Sequence, residues 1–166
     1  MSSSKRVSKD ASSKPTQYAS VHEDPLIREA IGVLEKRIFK RDAKLTSPEG
    51  VREFLQLKLA PEASEVFAIV FLDSRHRVIA YEPMFHGTID GAAVYPRAIL
   101  KRAMEHNCAA VIIAHNHPSG ETEPSDADRR ITNRIKAVLE MVDVRILDHF
   151  VIGEGRPFSF AEAGWL

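Results

Sequence analysis

The sequence predicts a mixed α/β (α+β) domain in which helices pack on a mixed β-sheet. Apolar residues recur at three- and four-residue spacing in several segments, which is typical of helices with one buried face. Two other runs, residues 66–72 and 109–114, are apolar on both faces and rich in β-branched side chains, which favours central buried strands. The predicted order is α-α-β-β-α-β-α-β with a short final strand, and helices and strands in this order predict a sheet covered by helices.

Two helices are predicted before the first strand. Asp24 can cap the first and Pro25 suits its first position, while Ser47 can cap the second and Pro61 ends it. The first helix has an apolar stripe at helical spacing, formed by Leu26, Ile27, Ala30, Val33, Leu34 and Ile38. The stripe predicts that this helix packs on the domain through one face.

The remaining helices and strands are predicted from changes in the spacing of apolar residues along the chain. A turn at residues 73–76 separates the first strand from a more polar strand at residues 77–84, which we expect to be antiparallel to it. Helices are predicted near residues 96–106 and 125–142. Strands are predicted at residues 109–114 and 144–152, and a short one at residues 157–160.

Length and composition indicate one domain with a tail. The chain has 166 residues, of which 44% are hydrophobic, and a formal net charge of zero, so overall charge does not indicate nucleic-acid binding. The single cysteine, Cys108, lies in an apolar run and is expected to be buried. No apolar run is long enough to span a bilayer, so we expect a cytoplasmic protein without membrane contact. The Ser-rich residues 1–24 are predicted to be a disordered tail.

The chemistry of the chain is concentrated in residues 115–128. His115 and His117 follow a buried strand at a spacing that puts both side chains on one side. Ser125 and Asp128 then open a helix, which allows Asp128 to face back toward the histidines. Two imidazoles and a carboxylate are the ligand set of a catalytic zinc site that leaves one position open for water.

The same residues have a simpler interpretation when taken singly. Ser-x-x-Asp is an ordinary helix start, close to a capping box. The spacing of the whole set still favours a metal site, because a polar cluster against a buried strand costs desolvation unless a partner offsets it.

This pattern resembles the JAMM motif of MPN-domain metalloproteases. The sequence His-Asn-His-Pro-Ser-Gly at residues 115–120 is most similar to the RadC-like branch of this family. Three other motifs, at residues 85–88, 95–97 and 147–153, also resemble that branch. The resemblance implies a cytidine-deaminase-like/MPN fold. The predicted organisation is then a tail at residues 1–24, a helix and linker at residues 25–44, and a RadC-like JAMM domain at residues 45–166.

The resemblance also implies roles. Glu65, just before the first strand, matches the general base of the family, and Glu62 is its near competitor. Ser125 matches the residue that hydrogen-bonds the oxyanion, and His115, His117 and Asp128 would hold Zn²⁺. The implied activity is that of a zinc metallopeptidase or isopeptidase acting on a peptide or protein substrate.

Two alternative functions and the role of His149 stay open at this point. A nucleic-acid-associated accessory protein, linked to DNA repair or a mobile element, draws on basic residues in 5–14 and 36–44. The helix-hairpin-helix region that often precedes the RadC-like domain is not evident, which weakens the nucleic-acid alternative. A zinc deaminase is disfavoured, because its His-x-Glu and Pro-Cys-x-x-Cys signatures are absent.

Two single residues also bear on the site. His149 either orients the site or simply packs. The chain also has Ala98 where RadC-like sequences commonly have Glu, a change that would alter the rim of the site.

Overall fold

The computed structural model describes residues 25–38, 48–87 and 93–166. These residues form a five-stranded mixed sheet with four helices, which confirms the predicted fold class. The elements are α1 (Pro25–Ile38), α2 (Pro48–Leu59), β1 (Val66–Leu72), β2 (Val78–His86), α3 (Pro96–Glu105), β3 (Ala110–Asn116), α4 (Asp126–Glu140), β4 (Arg145–Ile152) and β5 (Phe158–Ser159). The predicted tail at residues 1–24 lies outside the described residues.

The strand order is β2-β1-β3-β4-β5. β1 pairs antiparallel with both β2 and β3, as expected for the first hairpin. β3 and β4 run parallel and β5 returns antiparallel to β4. β1 and β3 are buried along their whole length, because each has neighbours on both edges and helices on both faces.

Alternation along the strands divides the core into two layers. One face of the sheet packs against α2, through Phe54 and Leu55 among others. The opposite face packs against α3 and α4, through Ile99, Ile135 and Leu139. His115 lies on the same side of β3 as Ile113, so its ring belongs to the α3/α4 face.

Two details differ from the sequence prediction. β3 does not end at Ala114 but continues to Asn116, because its pairing continues to Ile152 of β4. In α1, Leu26 of the predicted stripe is 71% exposed and Val33 is also exposed, whereas Ile31, outside that stripe, is buried. The apolar period therefore identified the helix and part of its packing face, since Leu34 of the stripe packs against the core.

Cys108 is buried, as predicted. Within the described ranges, none of the helices combines the length and apolar character that crossing a membrane requires.

Candidate metal centre

The structure brings His115, His117 and Asp128 together at the carboxyl end of β3. One ligand atom from each residue lies within 4.8 Å of the others. The Nε2 atoms of the two histidines are 3.0 Å apart. Asp128 lies in the first turn of α4, with Oδ1 3.3 Å from His115 Nε2 and Oδ2 3.4 Å from His117 Nε2. Three potential ligand atoms therefore converge on one point.

The ring of His117 is oriented by the loop that follows it. Its Nδ1 lies 3.0 Å from the carbonyl oxygen of Glu121. A carbonyl only accepts hydrogen bonds, so this nitrogen carries the proton. A neutral ring with this tautomer can present the lone pair of Nε2 to a bound metal, whereas a protonated ring can donate from Nε2 to Asp128. The backbone N–H of His117 donates to the carbonyl of Ile152, which fixes the start of the loop on β4.

Two glycines allow the loop to lie close to the end of β4. Gly120 has a φ of +86°, which glycine adopts without strain. A Cβ at Gly153 would lie 2.4 Å from the carbonyl oxygen of Gly120 and 2.8 Å from that of Glu121. The close approach requires glycine at 153, and it keeps the Glu121 carbonyl where it can hold His117.

Asp128 takes part in a capping box at the start of α4. Ser125 Oγ accepts from the backbone N–H of Asp128, and the Ser125 N–H donates to Asp128 Oδ2 at 2.7 Å. Ser125 Oγ also lies 2.6 Å from the same carboxylate oxygen, to which it donates its proton. Ser125 is therefore a helix cap in this structure. A role for it at an oxyanion requires the hydroxyl to rotate away from Asp128.

The electrostatics favour an ionised carboxylate. Burial opposes ionisation of Asp128, but hydrogen bonds with His115 and His117 outweigh it and hold the pKa of Asp128 well below its usual range. The hydrogen bond with Asp128 in turn raises the pKa of His117 against the opposing effect of burial. The site thus provides one negative charge beside two imidazoles.

Glu65 acts electrostatically on His117 of this group, whereas Glu62 acts on Tyr81. β1 and β3 are antiparallel with Phe67 opposite His115 as the last pair, and the same register continued past the strand ends would place Glu65 opposite His117. The carboxylate of Glu65 adds, as a smaller contribution, to the raised pKa of His117. The carboxylate of Glu62 instead acts, together with burial, to raise the pKa of Tyr81. This placement supports Glu65 as the candidate base.

Asn116, between the two histidines, is a residue that sequence reasoning missed. It is 2% exposed and makes three hydrogen bonds to the segment that leads into β1. Its Oδ1 accepts from Val66 N–H at 2.7 Å. Its Nδ2 donates to the carbonyls of Glu62 and Ser64 at 3.2 and 3.1 Å. Asn116 therefore ties the backbone around Glu65 to the strand that carries the histidines.

His149 is fully buried on β4, beside the ring of His115. Its Nε2 lies 2.8 Å from His115 Nδ1. Burial lowers the pKa of His149 well below its usual range, and the residue is not one of the three converging ligands. Asp148 fixes the local backbone by accepting from His149 N–H at 2.7 Å. The sequence left open whether His149 orients the site or simply packs. The contact between His149 and His115 favours a role in orienting the site.

The donor set fits a divalent metal. Imidazole nitrogen and carboxylate oxygen are ligands that zinc accepts, and three protein ligands leave a coordination position for water or substrate. Both histidines can offer Nε2, and Asp128 offers an ionised oxygen. The described residues thus form a group that could bind a metal, consistent with a JAMM-like site.

The fold and the site together define a mixed α+β domain with a candidate metal-binding group of three residues. Comparison with known proteins identifies the family of this domain. Residues 45–165 match the family model of the RadC-like JAB domain. The match covers more than half of the chain, so the protein belongs to the RadC-like JAB domain family.

Several bacterial relatives are similar over most of the chain. A UPF0758 protein of Stutzerimonas stutzeri (strain A1501) is 56% identical over 127 residues, which are 76% of this chain and 57% of that protein. A UPF0758 protein of Azotobacter vinelandii is 57% identical over the same length. One of Ectopseudomonas mendocina is 49% identical over 152 residues, which are 92% of this chain and 66% of that protein. The chain thus spans little more than half the length of the first two relatives.

The nucleic-acid alternative receives no support from this site. Residues 5–14, and most of residues 36–44, lie outside the part of the chain that the structure describes. That alternative stays a prediction.

Proposed function

We propose that this protein is a zinc-dependent hydrolase that cleaves an amide bond, as a peptidase or isopeptidase. The observation that carries the proposal is the convergence of His115, His117 and Asp128 with Glu65 on the neighbouring strand end. Family membership supports it, because a RadC-like JAB domain is the setting in which a JAMM-type ligand set is expected. Metal identity is proposed from the donor set.

The protein side of the reaction follows from the placement of these groups. When bound by the two histidines and Asp128, zinc would act as a Lewis acid that favours ionisation of water near neutral pH and polarises a carbonyl. The Glu65 carboxylate would take one proton from the attacking water and pass it to the departing amine. Water and an amide thereby give a carboxylic acid and an amine.

Ser125 is proposed to contribute a hydrogen-bond donor. Its hydroxyl donates to Asp128 in this structure, and a rotation about its side chain would direct the same proton toward an oxygen that develops negative charge. The lone pairs of Oγ could still accept from the Asp128 N–H. The cap and the proposed catalytic role are therefore compatible.

The experiment that tests this function compares two carboxamide variants. Zinc-loaded wild type, Glu65→Gln and Glu62→Gln are incubated with a proteome-derived peptide library, and new termini are identified by mass spectrometry. We expect cleavage by wild type and by Glu62→Gln, and at least a 100-fold loss in Glu65→Gln with its zinc content unchanged, in line with the usual contribution of about 10²–10⁴-fold from a general base. Equal turnover by Glu65→Gln and wild type would contradict the assignment of the base.

A further inference from the structure

A row of buried polar groups lies beneath the candidate metal ligands. Thr132 on α4 is 1% exposed and His149 on β4 is fully buried. Thr132 Oγ1 lies 2.6 Å from the carbonyl oxygen of Asp128 and 2.7 Å from His149 Nδ1. His149 Nε2 lies 2.8 Å from His115 Nδ1. The row therefore begins at the backbone of one candidate ligand and ends at the ring of another.

The chemistry of the end group determines where each proton lies. The Asp128 carbonyl has no proton, so the Thr132 hydroxyl donates to it. Having used its only proton, Oγ1 accepts from His149 Nδ1–H. A neutral imidazole with its proton on Nδ1 has a lone pair on Nε2, and this lone pair accepts from His115 Nδ1–H.

The consequence for His115 is a defined tautomer. In the neutral ring that binds a metal, a proton on Nδ1 leaves Nε2 with a lone pair on the side of His117 and Asp128. His149 packs against the rings of Phe67 and Phe160, with centroids 5.6 and 4.6 Å away. Such surroundings favour a ring with no net charge and leave it little freedom to turn.

We propose that Thr132 and His149 are positioning residues that hold His115 with Nε2 available to the metal. This inference rests on the proposed metal centre and goes beyond it, because it assigns a role to two residues that do not bind the metal. Partners of this kind orient a ligating histidine, and their loss typically weakens metal affinity about 10–100-fold.

The first test reads the tautomers directly. Long-range ¹H–¹⁵N correlation spectra of the zinc-loaded full chain distinguish protonated from unprotonated ring nitrogens. We expect the proton of His149 on Nδ1 and that of His115 on Nδ1. A proton on His149 Nε2 would reverse the direction of the row and overturn the proposal, even if zinc binds normally.

The second test uses a matched pair at one position. Thr132→Val keeps the shape but removes the hydroxyl, whereas Thr132→Ser retains it. Zinc affinity, measured by competition with a chelating dye, should fall about tenfold in Thr132→Val and stay within about twofold of wild type in Thr132→Ser. Equal affinities in the two variants would contradict the positioning role.

Two further measurements, thermal denaturation and zinc uptake, distinguish an unfolded variant or a missing metal centre from a wrong positioning role. Thermal denaturation without metal shows whether Thr132→Val is folded, and if it is not, the tautomer measurement on wild type decides the question alone. Wild-type protein that takes up no zinc would overturn the metal centre and this inference together. Zinc uptake with the opposite tautomer of His149 would overturn only the inference.

Discussion

Replacing Asn116 by alanine should destabilise the fold and leave the candidate ligands in place. The amide makes three hydrogen bonds to residues 62–66, of which the one from Val66 N–H is buried and the other two are partly buried. Each contributes about 1 kcal/mol net, and the partners left unpaired add to the cost, so we expect a loss of about 3–4 kcal/mol in the free energy of unfolding. Asn116 points to the α2 face of β3 and the histidines to the opposite side, so zinc stoichiometry should not change.

Urea denaturation at neutral pH measures this loss. Asn133→Ala is the matched control, because Asn133 is exposed on α4 and an exposed substitution of this kind usually changes stability by less than about 0.5 kcal/mol. A loss below about 1 kcal/mol in Asn116→Ala, or one equal to that of the control, would refute the idea that Asn116 anchors the segment carrying Glu65.

Three further predictions concern charge, close packing and metal. The side-chain hydrogen bond from Arg102 is the main cause that lowers the pKa of Glu82 to about 2 from 4.5. The stability it provides is fully present above pH 4.5 and is lost as the pH falls through about 2. The free energy of unfolding of wild type should therefore exceed that of Glu82→Gln by about 1 kcal/mol at pH 6 for this partly exposed pair. A difference in urea midpoints that does not shrink between pH 4.5 and pH 2 would contradict this. Gly153→Ala should weaken zinc binding and lower the Tm because its Cβ would meet the loop backbone, whereas Gly32→Ala, with open space around it, should do neither; equal behaviour of the two variants would count against the packing argument. Zinc at 100 times its Kd should stabilise the protein by about 2.7 kcal/mol, reversibly on chelation, and an unchanged Tm would argue against binding to the folded state.

The sheet was predictable because its central strands carry a strong local signal. Residues 66–72 and 109–114 are apolar on both faces, and the structure buries residues 66–72 and 110–114. The end of β3 was not predictable in the same way. His115 and Asn116 are polar, and only their pairing with β1 and β4 keeps them in the strand.

The ligand set was accessible from sequence because spacing along one strand and one helix turn fixes it. His115 and His117 share a side by strand alternation, and Asp128 follows from the helix start at Ser125. Their convergence in the structure agrees with that prediction, while the roles of Glu65 and Ser125 stay proposals.

The supporting residues were not accessible, because their partners are distant in the chain. Asn116 contacts a segment about 50 residues earlier, and nothing in the local pattern distinguishes it from a spacer between two histidines. Thr132 looked like an ordinary helix residue, since its contact with His149 depends on how α4 packs on β4. Such contacts arise from tertiary packing, which periodicity does not encode.

Zinc content tests the proposed metal centre most directly. Elemental analysis of tag-free wild type, Asp128→Asn and Asp126→Asn compares two carboxylates in the same helix turn, of which only Asp128 belongs to the converging group. We expect about one zinc per chain in wild type and Asp126→Asn, as for a single three-ligand site, and little in Asp128→Asn. Equal zinc in all three proteins, or none in wild type after zinc titration, would contradict this expectation.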